Sequence, residues 1–396
     1  MVDRRQALRL LGGLGAAGMA APWLSACGQP SASGSGTSNL PPVKIGVLLP
    51  MTGVLKTDGD DLGNGFRLYV KLNGNRMGGR QADVVYVDEG QTAESGKAGL
   101  ETLLTKERVQ IVSGVISSGV MTAIRPRIEQ AQIPLVGSNG SPTTVDGSKW
   151  IWRTSWGPKD PGLSMGRYVA ENAGGTVAIL AANYAAGHDF IKGFQETFNK
   201  AGGKIEGQIY WTQFAPTPSS DFRTQLAEIK ASNAKAVFCF YAGALAAAFI
   251  KQYRQLGLTQ TLYAVGALTE GGTLKLAGPE ARGILTGFNY SPDLDTPANH
   301  AFATAYQQEY QLTPSTYAVA AFDAAAIIDR AITLAGPNPT SQALNDAIGQ
   351  VGQIHSPRGT WQFTENRTPV QKWFLRRVDM DGPILSNIVI ADLGTL

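Results

Sequence analysis

The stretch Val43-Lys-Ile-Gly-Val-Leu-Leu-Pro-Met-Thr-Gly53 decides how this chain folds. Its nearly continuous apolar run is typical of a strand that is buried on both faces of a parallel sheet. A helix is predicted next, because Leu62, Phe66, Tyr69 and Val70 recur at the spacing of one helical face. A buried strand followed by an amphipathic helix is the first part of a βαβ unit.

This alternation occurs twice along the chain. Strands are predicted at 43–50, 82–88, 109–115 and 134–137, and again at 176–182, 205–211, 236–241 and 262–265. Helices of the second series are predicted to begin near Gly187, Ser220 and Ala244, with Ser219-Ser220-Asp221 capping the second of them. Three more helices (298–312, 317–335 and 341–351) and a β-rich tail (361–392) follow. The pattern predicts an α/β fold of two doubly wound, Rossmann-like lobes.

Composition excludes several classes of protein. A chain of 396 residues with 43% hydrophobic and 16% charged residues is globular and too long for one comfortable core. Its 34 Lys and Arg residues are nearly balanced by 31 Asp and Glu residues, so the chain has no strong positive electrostatic field that would bind nucleic acid. The histidines, His188, His300 and His355, show no metal-ligand spacing, so we expect neither a metal nor another cofactor.

The N-terminus predicts export and lipid anchoring. Arg4, Arg5 and Arg9 precede an apolar run shorter than the ~20 residues that a spanning helix needs, so residues 1–27 are predicted to be a signal peptide. The arginine pair resembles a twin-arginine signal, but the ordinary secretion route stays open. Leu24-Ser25-Ala26-Cys27 resembles a bacterial lipobox, which implies a lipid on Cys27 and attachment to the outer face of the cytoplasmic membrane. Residues 28–42, rich in Ser, Gly and Pro, predict a flexible tether.

Several further segments stand in an order that matches one known family. They are Val43 to Gly53, Gly63-Asn-Gly65, Gly114 to Ser118, Ile133 to Ser141, Trp152 to Ser155 and Ser356 to Gly359. Together they resemble the Leu/Ile/Val-binding type of periplasmic solute receptor for ABC transporters. The resemblance implies a type I, venus-flytrap fold with a three-crossover hinge, in which residues 43–155 and 289–358 form lobe 1 and residues 156–288 and 359–396 form lobe 2.

The resemblance also implies a function. Such a receptor is not an enzyme: it binds one small molecule between its lobes and delivers it to an ABC permease, and we expect a monomer. Two alternatives remain open, a sensor of the same fold that reports to a signalling partner and a surface-anchored hydrolase. The first would copurify with a kinase, and the second would lose ester or amide turnover on Ser118→Ala.

Ligand contacts from lobe 1 follow from the resemblance. The family holds a ligand carboxylate with a serine after the third strand and with a loop after the fourth, which here are Ser118, beside Ser117, and Asn139-Gly140-Ser141. Ser118 opens a predicted helix, and a helix N-terminus favours an anion. The alternative is that Ser117 and Ser118 only cap that helix.

The second group of candidates is less specific. The family closes its pocket with an aromatic before Gly187, where this chain has Ala186, so Tyr184 is a plausible substitute. Trp156 is predicted either to stack on the ligand or to pack in the hinge, and Asp58 either to touch the ligand or to lie in a solvated turn. The remaining candidates are Tyr241, Ala242, Gly243 and Glu270.

Glu270 decides between two ligand classes. Amino-acid receptors of this family pair the ligand ammonium with a lobe 2 carboxylate, and Glu270 is the nearest one in sequence. An unpaired buried ammonium is unfavourable. If Glu270 reaches the pocket, a branched-chain or other hydrophobic amino acid is the predicted ligand. If Glu270 does not reach it, an aromatic acid is predicted, because the segments Tyr241-Ala242-Gly243 and Pro369-Val-Gln371 are similar to segments of receptors that bind aromatic acids.

Overall fold

The computed structural model describes residues 40–214 and 221–396 of the chain. The predicted signal peptide and lipobox (1–27), the tether up to residue 39, and the two serines expected to cap a helix, Ser219 and Ser220, lie outside these residues. Within them, no helix is both long enough and apolar enough to cross a membrane.

Strands and helices alternate along most of the described chain. The strands are β1 (Val43–Leu49), β2 (Arg76–Met77), β3 (Arg80–Asp88), β4 (Ile111–Gly114), β5 (Leu135–Gly137), β6 (Ile151–Arg153), β7 (Val177–Asn183), β8 (Ile205–Gln213), β9 (Ala236–Phe240), β10 (Thr261–Val265), β11 (Leu285–Phe288), β12 (Ile354–Ser356), β13 (Gly359–Phe363), β14 (Pro369–Val370), β15 (Lys372–Asp381) and β16 (Ile384–Thr395). The helices are α1 (Lys56–Leu72), α2 (Ala93–Glu101), α3 (Ser118–Ala131), α4 (Asp160–Asn172), α5 (Ala185–Lys200), α6 (Arg223–Ala231), α7 (Gly243–Gln255), α8 (Gly271–Ala277), α9 (Pro297–Tyr310), α10 (Thr316–Ala335) and α11 (Ser341–Gly349).

Two large sheets confirm the predicted fold class. In the described residues their strand orders are β2-β3-β1-β4-β5-β6 and β16-β15-β11-β10-β9-β7-β8. Strands β3-β1-β4-β5-β6 of the first sheet and β8-β7-β9-β10-β11 of the second are parallel throughout. Numbered along the chain, each parallel set has the doubly wound order 2-1-3-4-5. Each sheet therefore forms the centre of one lobe.

Two local features differ from the sequence prediction. Strand β6 is not among the predicted strands: it adds a parallel edge strand beside β5, with Leu135 opposite Ile151. A strand of three residues is too short for its alternation of apolar and polar side chains to be recognised in the sequence. Helix α6 starts at Arg223, and Asp221 Oδ1 accepts a hydrogen bond from the Arg223 amide at 3.0 Å.

The segments that link the two sheets converge on one backbone oxygen. The Ser155 carbonyl, just after β6, accepts hydrogen bonds from Asn289 Nδ2 at 3.0 Å, Gln371 Nε2 at 2.7 Å and Arg358 Nη1 at 3.4 Å. Asn289 follows β11, while Arg358 and Gln371 lie between β12 and β15. Arg358 also forms a buried ion pair with Asp323 of α10 at 3.0 Å. The connections between lobes are thereby joined at a single point.

Helix α5 is held in place by an unusually close contact with α4. A Cβ atom on Gly162 would lie 1.9 Å from the Phe190 carbonyl oxygen, and one on Gly166 would lie 2.4 Å from the Phe194 carbonyl oxygen. Only glycine allows the two backbones to approach this closely. The contact fixes the position of the α5 N-terminus, which faces lobe 1.

The turn that leads into α3 is held by a buried carboxylate. Backbone torsions at Gly114 (φ 102°) and Val115 (φ 65°) turn the chain sharply after β4, and the Val115 angle is rare for a β-branched residue. Glu89, fully buried, accepts hydrogen bonds from the amides of Ile116 at 3.0 Å and Ser117 at 2.8 Å. Burial raises the pKa of Glu89 to about 8, although both amides favour the charged form.

We expect Gly166→Ala to lower the free energy of unfolding by about 1–3 kcal/mol, because the added methyl group forces α4 and α5 apart. Urea denaturation measures the change. Gly119→Ala is the matched control, since Gly119 is an exposed helical glycine whose Cβ would meet nothing closer than Ser117 Oγ at 3.6 Å. Equal stability of the two variants would contradict the prediction.

We expect Glu89→Ala to lower the free energy of unfolding by roughly 2–5 kcal/mol, because two buried amides lose their acceptor and each unsatisfied group costs about 1–3 kcal/mol. Denaturation by urea again provides the measurement. Glu94→Ala, at an exposed position in the first turn of α2, is the control and should change stability much less. A loss no larger than that of the control would show that Glu89 does not support α3.

Candidate functional site

A small enclosed cavity lies where the carboxyl ends of the two sheets face each other. Its volume is about 30 Å³. Eight of the residues predicted from the sequence line it, namely Asp58, Ser118, Asn139, Gly140, Ser141, Trp156, Tyr184 and Ala242. The remaining lining residues, which were not among the predicted site residues, are Leu55, Ile116, Ala186, Phe190, Phe240, Ala267 and Tyr317.

Topology explains why these residues meet. Asp58 follows β1 and Ser118 follows β4, whereas Tyr184 follows β7 and Ala242 follows β9. In each parallel set these are the first and third strands, between which the chain connections diverge to opposite faces of the sheet. Doubly wound sheets leave a crevice at this switch point. The cavity therefore combines the crevices of both lobes.

Two helix N-termini meet at one end of the cavity. Ser118 is the first residue of α3, and its hydroxyl oxygen accepts a hydrogen bond from the Ala186 amide, in the first turn of α5, at 2.9 Å. The first amides of each helix have no intrahelical acceptor, and both helix dipoles place partial positive charge here. Such an arrangement suits an anion, such as a carboxylate.

Ser117 does not line this cavity. It is the N-cap residue of α3, and its hydroxyl accepts a hydrogen bond from the Val120 amide at 3.3 Å. Of the two adjacent serines, the structure gives the capping role to Ser117 and the cavity position to Ser118.

The loop after β5 is held rigidly by its own hydrogen bonds. The Gly140 amide donates to the Val115 carbonyl oxygen at 2.8 Å, and Asn139 Nδ2 donates to the Ile116 carbonyl oxygen at 2.8 Å. Ser141 Oγ donates to the Trp156 carbonyl oxygen at 2.6 Å, which links this loop to the first crossover. The loop and the start of α3 thus form one rigid side of the cavity.

Aromatic rings form much of the remaining wall. Phe190 lies between Phe240, at 4.7 Å between ring centroids, and Trp156, at 6.3 Å. Tyr184 stacks on Phe240 at 5.9 Å. Trp156 also packs on Phe288 at 5.1 Å, as expected for packing in the hinge, and it lines the cavity, while its stacking on a ligand stays a prediction. The wall is apolar and suits a flat or branched hydrocarbon group.

Tyr241 was expected in this wall, but the structure places it in the lobe 2 core. Its hydroxyl accepts a hydrogen bond from Thr212 Oγ1 at 3.1 Å, and its ring packs on Phe222 at 4.9 Å and Phe249 at 4.7 Å. Consecutive strand residues point to opposite faces of a sheet. Phe240, one residue earlier, consequently takes the cavity position.

Gly243 contacts the other lobe and does not line the cavity. The amide of the next residue, Ala244, donates to the Val54 carbonyl oxygen at 2.9 Å. Gly243 itself has a φ of 58°, and a Cβ atom there would lie 2.1 Å from the same oxygen. Thr143 of lobe 1 makes a second contact, since its amide and hydroxyl donate to the Asp189 carboxylate at 2.8 and 2.7 Å. The lobes are closed on each other.

Glu270 does not reach the cavity either. Its carboxylate pairs with Arg376 Nη1 and accepts a hydrogen bond from the Thr316 amide at the start of α10, at 2.8 Å. The residue lines a separate groove of about 670 Å³ beside α8 and the β15–β16 hairpin. Arg376 lies 106 positions after Glu270 in the chain, so no local sequence pattern predicts that the two residues pair.

Asp58, in contrast, is buried in the cavity wall and does not lie in a solvated turn. Only 1% of it is exposed, and Oδ1 accepts a hydrogen bond from Thr273 Oγ1 of lobe 2 at 3.3 Å. Burial, with a smaller contribution from the neighbouring Asp61, raises the pKa of the Asp58 carboxyl well above its usual value. In the described residues, no group of three or more His, Cys, Asp or Glu is arranged to hold a metal ion.

Comparison with known proteins supports this architecture. Residues 42–383 match the family described as "Periplasmic binding protein". A "Leu/Ile/Val-binding protein homolog 6" of Brucella melitensis is 28% identical over 345 residues, which cover 85% of this chain and 87% of the relative.

Two solved structures are similar along nearly their whole length. A solute-binding protein of an ABC transporter from R. palustris, in complex with benzoate, is 28% identical with a TM-score of 0.83, and the match covers 89% of this chain and 96% of that one. Another, from Rhodopseudomonas palustris BisB5 in complex with 3,4-dihydroxybenzoic acid, is 26% identical with a TM-score of 0.84, and the match covers 90% and 98%. The chain belongs to the periplasmic binding protein family, whose similar members include solute-binding proteins of ABC transporters.

Proposed function

We propose that the protein is an extracytoplasmic receptor that binds a small carboxylate between its lobes and delivers it to an ABC permease, without changing the ligand chemically. The meeting of two helix N-termini inside an aromatic-walled cavity carries this proposal. The helix ends stabilise a carboxylate group, while the rings bury an apolar body.

Aromatic acids are the first ligand class to consider. Glu270, the expected partner for an amino-acid ammonium, is paired with Arg376 away from the cavity. Similar receptors were solved with benzoate and with 3,4-dihydroxybenzoic acid. Branched-chain and other hydrophobic amino acids are the second class, suggested by the Leu/Ile/Val-binding relative.

Binding requires the lobes to move. A cavity of about 30 Å³ accommodates one or two water molecules, so a molecule the size of valine or benzoate enters only when the lobes separate. The proposed cycle is a population shift in which the receptor opens about the Ser155 junction, and a ligand that contacts both lobes stabilises a closed form whose cavity is widened enough to hold it.

Export and lipid anchoring at Cys27 complete the proposal. An anchored receptor stays close to its permease, and a flexible tether at 28–42 would let the folded lobes reach that permease.

We expect Cys27→Ser to move the protein from the membrane fraction to the soluble extracytoplasmic fraction, because the sulfur that carries the lipid is lost. Fractionation and immunoblotting measure this change. Retention of the variant in the membrane fraction would contradict an anchor at Cys27, and Cys239→Ser, at a buried site, is the control.

A thermal-shift screen tests the ligand class. Benzoate, 4-hydroxybenzoate, 3,4-dihydroxybenzoate, leucine, isoleucine and valine are compared, and a ligand present at 100 times its Kd should stabilise the folded protein by about 2.7 kcal/mol. Small-angle scattering should then show a smaller radius of gyration with the best ligand. No shift with any compound, or unchanged dimensions on binding, would overturn the proposal.

We expect Gly243→Ala to weaken binding of the best ligand by about tenfold or more, because the new methyl group meets the Val54 carbonyl oxygen only when the lobes close. Gly257→Ala is the matched control: Gly257 also has a positive φ, of 64°, but a Cβ atom there would meet only Lys230 Nζ at 3.6 Å. Both variants should lose about 1–2 kcal/mol of stability from backbone strain. Isothermal titration calorimetry should show weaker binding for Gly243→Ala alone, and equal affinities would contradict closure.

A further inference from the structure

Two buried oxygen atoms in the residues that line the cavity have no hydrogen-bond donor among the described residues. They are Asp58 Oδ2 and Asn139 Oδ1. Nearly all buried polar atoms in folded proteins are hydrogen-bonded, and each exception needs an explanation. Both exceptions in this cavity wall are explained if a ligand supplies the donors that these two oxygen atoms lack.

Asp58 is the stronger of these acceptors. Its other oxygen, Oδ1, accepts hydrogen bonds from the hydroxyls of Thr57 and Thr273, both at 3.3 Å, so the carboxyl group cannot turn freely to find a donor. The charged groups that act on it are Asp61 and Glu270, and both are acidic. Glu270 is itself paired with Arg376. An ammonium group beside Asp58 Oδ2 would therefore favour the charged form of this buried carboxyl and pair with it, and a hydroxyl group would form a hydrogen bond with the carboxyl in either form.

The cavity thus offers two kinds of polar contact. The N-termini of α3 and α5 meet at Ser118 and Ala186 and favour an anion, whereas Asp58 presents an acceptor. A carboxylate with a plain hydrocarbon body interacts favourably with the helix N-termini but offers no donor to Asp58. Resting on the function proposed above, we propose that the ligand is a carboxylate that also carries a hydroxyl or an ammonium group, and that Asp58 accepts a hydrogen bond from that group.

The proposal predicts a specificity ratio. A site that buries an acceptor discriminates strongly against an analogue that lacks the matching donor, because the acceptor is left unpaired. We expect the wild-type protein to bind the donor-bearing member of a matched pair about tenfold or more tightly than the member without a donor.

Matched pairs separate the two sources of the donor. In the aromatic series, 2-, 3- and 4-hydroxybenzoate are compared with benzoate; in the aliphatic series, leucine is compared with 4-methylpentanoate, which lacks the ammonium. Calorimetry on the full exported protein measures each Kd. A preference in the aromatic series identifies a hydroxyl as the donor, and a preference in the aliphatic series identifies an ammonium.

Two variants of Asp58 assign the preference to this residue. Asp58→Asn keeps an acceptor oxygen but removes the charge, so it should retain most of a preference for a hydroxyl and lose about 100-fold of a preference for an ammonium. Asp58→Ala should abolish either preference. Asp60→Asn, in the same turn of α1, is the control, because Asp60 is half-exposed and pairs with Lys56; its affinities should match the wild type.

The outcomes are distinguishable. The absence of a preference for the donor-bearing member in both series, or an unchanged ratio in Asp58→Ala, overturns the assignment of Asp58 but keeps the receptor function. Failure of every carboxylate to bind overturns both proposals. Melting temperatures without ligand confirm that the variants fold, and Asp58→Asn should be at least as stable as the wild type because it removes a buried acidic group next to Asp61.

Discussion

The structure depends on the convergence of the interlobe connections at the Ser155 carbonyl oxygen. Asn289, Arg358 and Gln371 come from distant parts of the chain, and each donates a hydrogen bond to this oxygen. Because the donors are buried, breaking one bond leaves unpaired polar groups away from water. The junction therefore fixes where the lobes can pivot, and with it which strand ends face each other across the cavity.

Given this junction, the site follows from the two copies of one topology. Each lobe contributes the loops after its first and third parallel strands, and each presents a helix N-terminus, α3 from one side and α5 from the other. The supports lie outside the cavity: Glu89 beneath the start of α3, and Gly162 and Gly166 beneath α5. Residues that never touch a ligand thus determine the geometry of the residues that line the cavity.

Sequence patterns predicted the two-lobed α/β fold, because strands buried on both faces produce long apolar runs that are hard to mistake. The strand patterns also located the strand ends, and the family resemblance pointed to Ser118, Asn139 and Tyr184 at those ends. They failed where the answer depends on a single-residue register, as for Tyr241 and Phe240, or on a distant partner, as for Glu270 and Arg376. Tyr317 and Phe190 reach the cavity from helices, and helix periodicity shows only that such residues are buried.

The direct contact between Val54 and Ala244 has a consequence for how this receptor could diversify. The contact is made by main-chain atoms, which are the same whatever side chains surround them. Exchanging the aromatic residues of the cavity wall leaves this backbone hydrogen bond unchanged, provided that Gly243 is retained. Ligand specificity can therefore change by single substitutions in the cavity wall, while the backbone contact that holds the lobes together stays the same.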